Sequence, residues 1–269
     1  MPYYEDIYGC DSIKDIIIYC HNALPDRYKD KPWTHDSLKH GHGILRDEEA
    51  LNCYMAAYGE MHVAKCIAAM QTFPFNSIQG NIEIVDWGCG QGIGAAAIIE
   101  ELKKSDLLGS LLKVTLIDPS KEAIERAKYN IITLTQNTVE IDVKNLFLPV
   151  NDSIDIENIN SEIETLNSIE YTHNNVIHVF SNILDVTTID LKKLANMVKS
   201  TNTKQFILCI GPKNDKAKRI EDFCSLFTDK DYFSHIDNEH FAFIERNKYQ
   251  YSCITRCFEY NGATIDLLK

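Results

Sequence analysis

Four glycines stand at alternate positions in the segment VDWGCGQGIGAA, residues 85–96, directly after an aspartate. They are Gly88, Gly90, Gly92 and Gly94, a third of the 12 glycines in the 269-residue chain, and the aspartate is Asp86. Glycine tolerates a positive φ and lets a ligand approach the main chain. A glycine-rich turn that opens a helix also points backbone N–H groups at that ligand. The segment therefore predicts a binding site for a small molecule.

The elements that position this turn are predicted from alternating runs along the chain. From about residue 80 onward, short runs rich in Ile and Val alternate with helical patterns. Such alternation is typical of a parallel sheet flanked by helices. The predicted parallel strands are 82–87, 113–118, 138–143, 175–181 and 205–211, and an antiparallel hairpin is predicted from 241–246 and 250–259. The predicted helices are 92–104, 120–134, 188–200 and 213–228.

The first 80 residues lack this alternation and predict a helical N-terminal cap or lid, residues 1–80, on a larger domain, residues 81–269. Helices are expected from Ser12 to about His21 and from Glu48 to about Met70, with Asp47 as the N-cap of the second. Within the larger domain, residues 151–170 hold six acidic side chains and no basic one. They predict an exposed acidic insertion over about 145–172, with a helix around 157–168.

The charge balance bears on possible partners. With 27 basic and 39 acidic side chains the formal net charge is -12. This opposes binding to a DNA duplex, because affinity for nucleic acid comes largely from Lys and Arg at phosphates. RNA stays a possible partner. The basic cluster at Lys213, Lys216, Lys218 and Arg219 is expected to be the solvated face of a helix.

Other features bear on compartment and metal binding. No apolar run approaches the roughly 18 residues of a membrane span, and the first residues lack a secretory signal. A cytoplasmic protein without a membrane segment is predicted. Nine scattered cysteines do not form a disulfide framework, so reduced thiols are expected, with Cys253 and Cys257 on one face of a strand. No metal site is predicted, since His40 and His42 alone do not supply the three or four ligands that a site needs.

Two ligand classes use a turn of this kind. The dinucleotide fingerprint G-x-G-x-x-G/A is met by Gly90, Gly92 and Ala95. In that fingerprint an acid for the ribose lies about 20 residues downstream. Here the first acid at a predicted strand end is Asp118, 28 residues after Gly90. An NAD(P)-dependent oxidoreductase is therefore kept as an alternative.

The second class rests on a resemblance. Asp86, Gly88, Gly90 and Gly92 form D-x-G-x-G-x-G, which resembles motif I of the class I, Rossmann-like, S-adenosylmethionine-dependent methyltransferases. Later stretches are similar to further motifs of that family in order: LIDPSKEAIERAK (116–128), VEIDV (139–143) and VIHVFSNILDV (176–186). The resemblance covers about 85–186. It implies an α/β fold with a doubly wound, mostly parallel seven-stranded sheet of order 3-2-1-4-5-7-6, S-adenosyl-L-methionine as cofactor, and methyltransferase activity.

The resemblance also implies roles for residues at the strand ends. Asp118 would accept hydrogen bonds from both ribose hydroxyls, as a carboxylate can, because Ser120 is free to cap the following helix instead. Asp142 would receive the adenine amino group, with Asn145 and Asp152 as alternatives. The implied cofactor-binding residues are Asp86, Gly88, Cys89, Gly90, Gly92, Asp118, Pro119, Asp142, Val143, Ser181 and Asn182.

The acceptor side is less defined. Asn182 is followed by Ile183 and Leu184 rather than by two prolines and an aromatic residue, and no Pro-Cys pair exists, which disfavours both common DNA-methylating chemistries. The methyl acceptor stays unidentified among small molecules, proteins and RNA. A non-catalytic module that binds S-adenosylmethionine or S-adenosylhomocysteine is a further alternative. The candidate bases are His62, His178 and Asp185, and Tyr58 and His62 on the predicted lid helix are the candidate substrate contacts.

Overall fold

The computed structural model describes residues 2–41, 43–148, 174–199, 203–215, 217–242 and 250–261. Seven strands form one sheet in the order β3-β2-β1-β4-β5-β7-β6. Strands β1 to β5 run parallel, and β7 lies antiparallel between β5 and β6. The predicted doubly wound, mostly parallel α/β sheet and its order are confirmed. The strands are β1 (Ile82–Trp87), β2 (Leu111–Ile117), β3 (Glu140–Lys144), β4 (Asn175–Ser181), β5 (Lys204–Pro212), β6 (Lys230–Ala242) and β7 (Gln250–Asn261).

The helices of the described residues flank this sheet. They are α1 (Pro2–Ile7), α2 (Ile13–Asn22), α3 (Asp26–Lys29), α4 (Glu48–Tyr54), α5 (Glu60–Met70), α6 (Ile93–Lys104), α7 (Lys121–Thr135), α8 (Leu191–Lys199) and α9 (Lys218–Ser225). A π-helical turn, Met55–Gly59, joins α4 to α5. Asp47 and Ser120 cap α4 and α7, as expected from the sequence, by accepting a backbone N–H in the first turn, and Ser12 caps α2 in the same way.

The sheet is buried on both faces, which explains why its strands lack strict polar alternation. All six residues of β1 are buried. Ile82 and Ile84 pack into one apolar cluster with α1, α2, α5, α6 and α7. Val85 and Trp87 point the other way, into a second cluster with α8 and α9. Side chains alternate between faces along a strand, so each face needs its own layer of helices.

The N-terminal helices are fastened to α7 by buried polar contacts. The Arg126 guanidinium donates to Asn52 Oδ1 at 2.6 Å and lies 4.0 Å from the ring centroid of Tyr3. The Tyr3 hydroxyl in turn donates to Asn130 Oδ1 at 2.8 Å. Since Arg126 is only 6% exposed, its guanidinium takes its hydrogen-bond partners from the protein rather than from water. The segment therefore packs closely against the sheet domain.

The sixth strand was placed wrongly by the sequence. It spans Lys230–Ala242 rather than 241–246, and its pairing with β7 is interrupted by two register shifts. Among the described strands β6 lies at the edge of the sheet and pairs on one side only, and its sequence carries many polar residues. β7 begins at the expected residue, and Cys253 and Cys257 are both buried in it. The residues that join the two strands, 243–249, lie outside the described residues.

Smaller differences concern loops and insertions. The predicted loop between α2 and α4 contains α3 and two short 3₁₀ turns, Pro32–Thr34 and Asp36–Gly41. α8 and α9 begin later than expected. Of the predicted acidic insertion only 145–148 is described, so its predicted helix and Asp152 lie outside the described residues, as do His42 and the side chain of His40. Among the described helices, none combines the length and apolarity that a bilayer crossing requires.

Candidate functional site

A cavity of about 420 Å³ lies at the carboxyl ends of β1, β2 and β4. Here β1 stands between β2 and β4, where the winding of the sheet reverses, which is the usual ligand site of a doubly wound sheet. The lining residues are Ile44, Leu45, Tyr54, Gly88, Gly90, Gln91, Asp118, Pro119, Ala123, Phe147, Leu148, Ser181, Asn182, Ile183, Val186, Thr187, Thr188 and Ile189. The cavity is thus built from four loops of the sheet domain and from the N-terminal segment.

The glycine turn forms the floor of this cavity. Gly88 and Gly90 have φ of +68° and +52°, which favour glycine. A Cβ at Gly88 would lie 2.7 Å from Ile183 Cγ1, whereas a Cβ at Gly90 would meet nothing within 4 Å. Gly92 N–H donates to Cys89 O at 2.7 Å and tightens the turn. Gly90 therefore exposes main chain to open cavity space, as the spacing of the glycines predicts.

Asp86 lies beneath the turn at the end of β1. It is 1% exposed, and its Oδ2 accepts the Ala95 N–H at 2.9 Å, which ties the strand to the first turn of α6. Burial raises the pKa of Asp86 to about 7, against the effect of the Ala95 hydrogen bond. The carboxyl group therefore organises the turn and lies close to neutrality around neutral pH.

Asp118 follows the last residue of β2 and lines the cavity. Its Oδ2 accepts the Gly90 N–H and its Oδ1 accepts the Ser120 N–H, both at 2.8 Å. Burial raises its pKa, and these two hydrogen bonds oppose that rise. Each carboxylate oxygen keeps lone-pair capacity for a further donor. The carboxylate is therefore oriented by the glycine turn and can still accept two hydrogen bonds from a diol.

Asp142 and Val143 are not brought into the cavity. β3 continues to Lys144, so Asp142 lies inside the strand, where it forms ion pairs with Lys113 at 3.8 Å and Lys144 at 3.2 Å. Val143 packs against the apolar cluster on the α6 face. The loop after β3 instead supplies Phe147 and Leu148 to the cavity. The sequence placed the end of this strand too early.

Ser181 and Asn182 stand at the end of β4 and line the cavity. Asn182 has a φ of +56°. Its Nδ2 lies 2.5 Å from His62 Nδ1 and 3.0 Å from Ser181 Oγ, and its Oδ1 accepts from Lys65 Nζ at 3.3 Å. These contacts hold α5 against the residues at the end of β4. The N-terminal segment therefore reaches the cavity beside Ser181 and Asn182.

A recess of about 30 Å³ adjoins the cavity beneath the glycine turn. Its lining residues are Tyr54, His62, Asp86, Gly88, Cys89, Gly90, Gln91, Ile93, Gly94 and Ser181. Burial lowers the pKa of His62 to about 3, so the imidazole is neutral at physiological pH. Cys89 lines this recess and does not line the main cavity.

The three candidate bases differ in location. His178 is fully buried inside β4, where Nδ1 accepts the Trp87 Nε1–H at 3.1 Å, and burial lowers its pKa to about 3. Asp185 is 4% exposed and does not line the cavity. His62 alone among the three faces the recess. The structure therefore does not bring His178 and Asp185 to the cavity or to the recess.

Tyr54 faces the cavity in place of Tyr58, which does not line it. The sequence shows Tyr54, Tyr58 and His62 at four-residue spacing, which in an α-helix places all three on one face. The π-helical turn Met55–Gly59 shifts that register, and the ring of Tyr54 stacks on His62 with centroids 5.9 Å apart. The stripe was the signal for Tyr54. Tyr58 packs edge-on against both Tyr54 and His62, with ring centroids 5.3 Å and 6.3 Å apart, and does not line the cavity.

Two polar contacts hold the N-terminal segment along the cavity. Gln91 Nε2 donates to Leu51 O at 3.0 Å, and Ser120 Oγ donates to Leu45 O at 2.5 Å. Both donors belong to the loops that hold Asp118 and the glycine turn. Because the acceptors are backbone carbonyls, nothing in the sequence singled out these contacts.

Arg219 supports the opposite wall. Its Nε donates to Leu184 O at 2.9 Å, and its Nη2 donates to Val186 O at 3.0 Å and Ile189 O at 2.8 Å. The sequence suggested a solvated helix face, and Lys218, which pairs with Asp222, fits that expectation. Arg219 instead holds the loop after β4. In the described part of the chain, no group of three or more His, Cys, Asp or Glu side chains is arranged for a metal ion.

Comparison with known proteins gives similarity of fold. No family model matches the chain, and no curated protein matches it. A candidate RNA methyltransferase from Pyrococcus horikoshii is 11% identical, with 92% of this chain and 98% of that chain covered and a TM-score of 0.44. Magnesium protoporphyrin IX methyltransferase from Synechocystis, with bound S-adenosylmethionine, is 11% identical over 93% of this chain and 98% of that chain, with a TM-score of 0.38.

A third similar structure is precorrin-6y C5,15-methyltransferase from Geobacter metallireducens, 11% identical over 82% of this chain and 92% of that chain, with a TM-score of 0.40. The sheet of the present chain, with β7 antiparallel between β5 and β6, has the strand order that the sequence resemblance implies.

Proposed function

We propose that this chain, whose fold is that of the class I methyltransferases, binds S-adenosyl-L-methionine in the cavity and transfers its methyl group to an acceptor. One observation carries the proposal: the Asp118 carboxylate lines the cavity while accepting the Gly90 N–H at 2.8 Å. The acid at the end of β2 and the exposed main chain of the glycine turn therefore act on the same ligand. That pairing suits a nucleoside with a free diol.

The residues present fit the chemical groups of this cofactor. Asp118 offers lone pairs to the ribose hydroxyls, and Phe147 and Leu148 offer an apolar surface to the adenine. Asp86 and the recess lie beside Gly90, where the methionine portion would lie. The proposal thus retains, from the residues predicted by sequence, Asp86, Gly88, Cys89, Gly90, Asp118, Pro119, Ser181 and Asn182, with Gly92 shaping the turn. It does not use Asp142 or Val143.

Methyl transfer from this cofactor requires little covalent chemistry from the protein. When bound, the cofactor supplies a methyl group already activated as a sulfonium. The chain has to orient the acceptor in line and exclude water. Among the described residues that line the cavity, Asp118 is the only one with an ionisable acid or base other than the Tyr54 phenol. This favours an acceptor atom that already has a free lone pair, so that no strong base has to remove a proton from it first.

The acceptor is proposed among small molecules, protein side chains and RNA. No Lys or Arg stands among the described residues of the cavity lining, and the chain carries a net charge of -12. A phosphate would therefore find no cationic partner inside the cavity from those residues. An acceptor whose reacting end is uncharged fits best, whatever molecule presents it.

Thermal unfolding with added ligands tests the proposal. S-adenosylmethionine and S-adenosylhomocysteine are each expected to raise the melting temperature, since a ligand of the native state stabilises it. A rise with NAD or NADP alone would instead support the oxidoreductase. A survey of tritiated methyl transfer to small-molecule, protein and RNA pools then follows. Binding of both adenosyl ligands without transfer to any pool would leave the non-catalytic module.

A further inference from the structure

Lys65 is a buried cation that does not line the cavity. It lies in α5, is 2% exposed, and makes its one hydrogen bond among the described residues to Asn182 Oδ1, at 3.3 Å. Burial lowers its pKa, and the nearby Asp185 carboxylate and the Cys66 and Cys253 thiols oppose that effect. Burying the ammonium group of a lysine against a neutral amide costs free energy. A lysine that is kept there indicates a role that a neutral side chain would not fill.

The contact with Lys65 fixes which way the Asn182 amide points. An ammonium group donates hydrogen bonds and cannot accept them, so the amide atom that faces Lys65 must be Oδ1. The amide NH₂ then faces the other side, where His62 Nδ1 lies 2.5 Å and Ser181 Oγ 3.0 Å from Nδ2. Both amide hydrogens are thereby directed away from Lys65.

The orientation of Asn182 in turn fixes the tautomer of His62. Because Nδ1 accepts a hydrogen bond from the amide, a neutral imidazole must carry its hydrogen on Nε2. Nε2 has no hydrogen-bond partner among the described residues, and His62 lines the recess. The recess, at about 30 Å³, has room for one small polar group. It therefore combines one acid, Asp86, with one ring N–H donor.

We propose that Lys65 is a positioning residue that acts through Asn182 to hold His62 in the Nε2–H tautomer, so that His62 donates to a carboxylate in the recess. The inference rests on the proposed function, under which that carboxylate belongs to the methionine portion of the cofactor. Asp86 lines the same recess, whereas Lys65 lines neither the recess nor the cavity.

Binding of two ligands that differ only in the carboxylate tests this role. The ligands are S-adenosylmethionine and its decarboxylated form, measured by calorimetry. Lys65→Met is expected to weaken binding of the first about tenfold and of the second less than about twofold. The matched control is Lys204→Met, because Lys204, on β5, pairs with Glu259 and donates to Ser77 Oγ, and it does not line the recess. The control is expected to leave both affinities unchanged.

The tautomer of His62 is read separately, by ¹⁵N NMR of the ligand-free protein, with His62→Gln to assign the signals. The wild-type protein and Lys65→Arg, which keeps the donor, are expected to show a protonated Nε2 and an unprotonated Nδ1. A protonated Nδ1 in the wild type overturns the inference. So does an equal loss of affinity for both ligands in Lys65→Met.

Failure of the proposed function has a different signature. In that case the wild-type protein binds neither adenosyl ligand, while the NMR signals of His62 are still measurable. If Lys65→Met does not fold, the wild-type tautomer and the ligand pair on Lys65→Arg decide the matter. Arginine keeps the donor, so an Nδ1–H signal in that variant, or loss of its preference for the carboxylated ligand, contradicts the inference.

Discussion

Two carboxylates hold the glycine turn from opposite sides. Asp86 accepts the Ala95 N–H from below, and Asp118 accepts the Gly90 N–H from the cavity side. Burial raises the pKa of both. The turn is therefore held by two buried carboxyl groups whose ionised forms are costly, and groups of this kind are often found at functional sites.

The elevated pKa of Asp86 has a consequence for stability. Burial raises it from 3.8 to about 7, so the folded protein keeps a proton that the unfolded chain releases. The contribution of this carboxyl group to the free energy of unfolding is fully present below its pKa in the unfolded chain, 3.8. It is lost as the pH rises through the folded-state pKa of about 7. Asp86→Asn removes that dependence and keeps an oxygen for the Ala95 N–H. Relative to wild type, the variant is expected to gain up to about 4 kcal/mol in free energy of unfolding between about pH 4 and about pH 8.

Urea unfolding of both proteins across that range provides the measurement. Glu83 and Asp118 also have raised pKa values, which is why the difference between the two proteins is compared rather than either profile alone. A difference that does not vary with pH would contradict the assignment to Asp86.

Tyr54 and Tyr58 form a matched pair of variants. Tyr54 lines the cavity and the recess, whereas Tyr58 lies beside it on the same helical segment and lines neither. Tyr54→Ala is expected to weaken binding of S-adenosylhomocysteine roughly tenfold, because an aromatic surface is lost from the site. Tyr58→Ala is expected to change it less than about twofold. Fluorescence or calorimetric titration measures both, and the reverse ranking would show that Tyr58 is the contact.

Single residues were predictable where a motif lies next to a strand end. Asp86 and Ser181 lie in the last two residues of strands whose apolar runs are plain in the sequence, and the glycines, Asp118 and Asn182 follow such strands. The stripe of Tyr54, Tyr58 and His62 was visible in the sequence, but which of its members lines the cavity was not, because the π-helical turn between Tyr54 and His62 has no sequence mark. Lys65 was not predictable, since its partner Asn182 is distant in the chain and no local pattern pairs them.

Among the elements, the loop after β4 depends most on a single side chain. Arg219 from α9 donates to three of its backbone carbonyls. Hydrogen bonds from a charged donor contribute about 1.5–3 kcal/mol each and do not add fully. Arg219→Gln is therefore expected to lower the free energy of unfolding by about 2–4 kcal/mol and to speed amide exchange in residues 183–189.

The neighbouring lysine supplies the control for that experiment. Lys218 is exposed and pairs with Asp222 on the helix surface, so Lys218→Gln is expected to change stability by less than about 0.5 kcal/mol. Hydrogen exchange followed by mass spectrometry, with urea unfolding, measures both variants. Equal exchange of the loop in the two variants would refute the supporting role of Arg219.

Elements buried on both sides were predictable and the edge element was not. β1 and β4 match the predicted ranges, since both lie between other strands and read as continuous apolar runs. β6 is an edge strand with two register shifts and few apolar residues, so its pattern resembles a loop. The sequence therefore described the centre of the sheet, which holds the site, better than its rim.

For the whole molecule, the N-terminal helices and the sheet share an apolar cluster. Ile7, Ile13 and Ile16 belong to the same cluster as Ile98 and Val114. Cooperative unfolding follows from a shared core. A single calorimetric transition is expected, with a calorimetric enthalpy close to the van't Hoff enthalpy. Two separate transitions would show that residues 1–80 and 81–269 unfold as independent units.

The most direct test of the central claim is isothermal titration calorimetry of S-adenosylmethionine with the wild-type protein and with Asp118→Ala. Asp118 lines the cavity and its carboxylate is oriented by Gly90 and Ser120. Wild type is expected to bind one equivalent, and the variant at least about 100-fold more weakly, with an unchanged far-ultraviolet circular dichroism spectrum. Equal affinity in the two proteins, or no binding to wild type, would contradict an adenosyl cofactor at this end of β2.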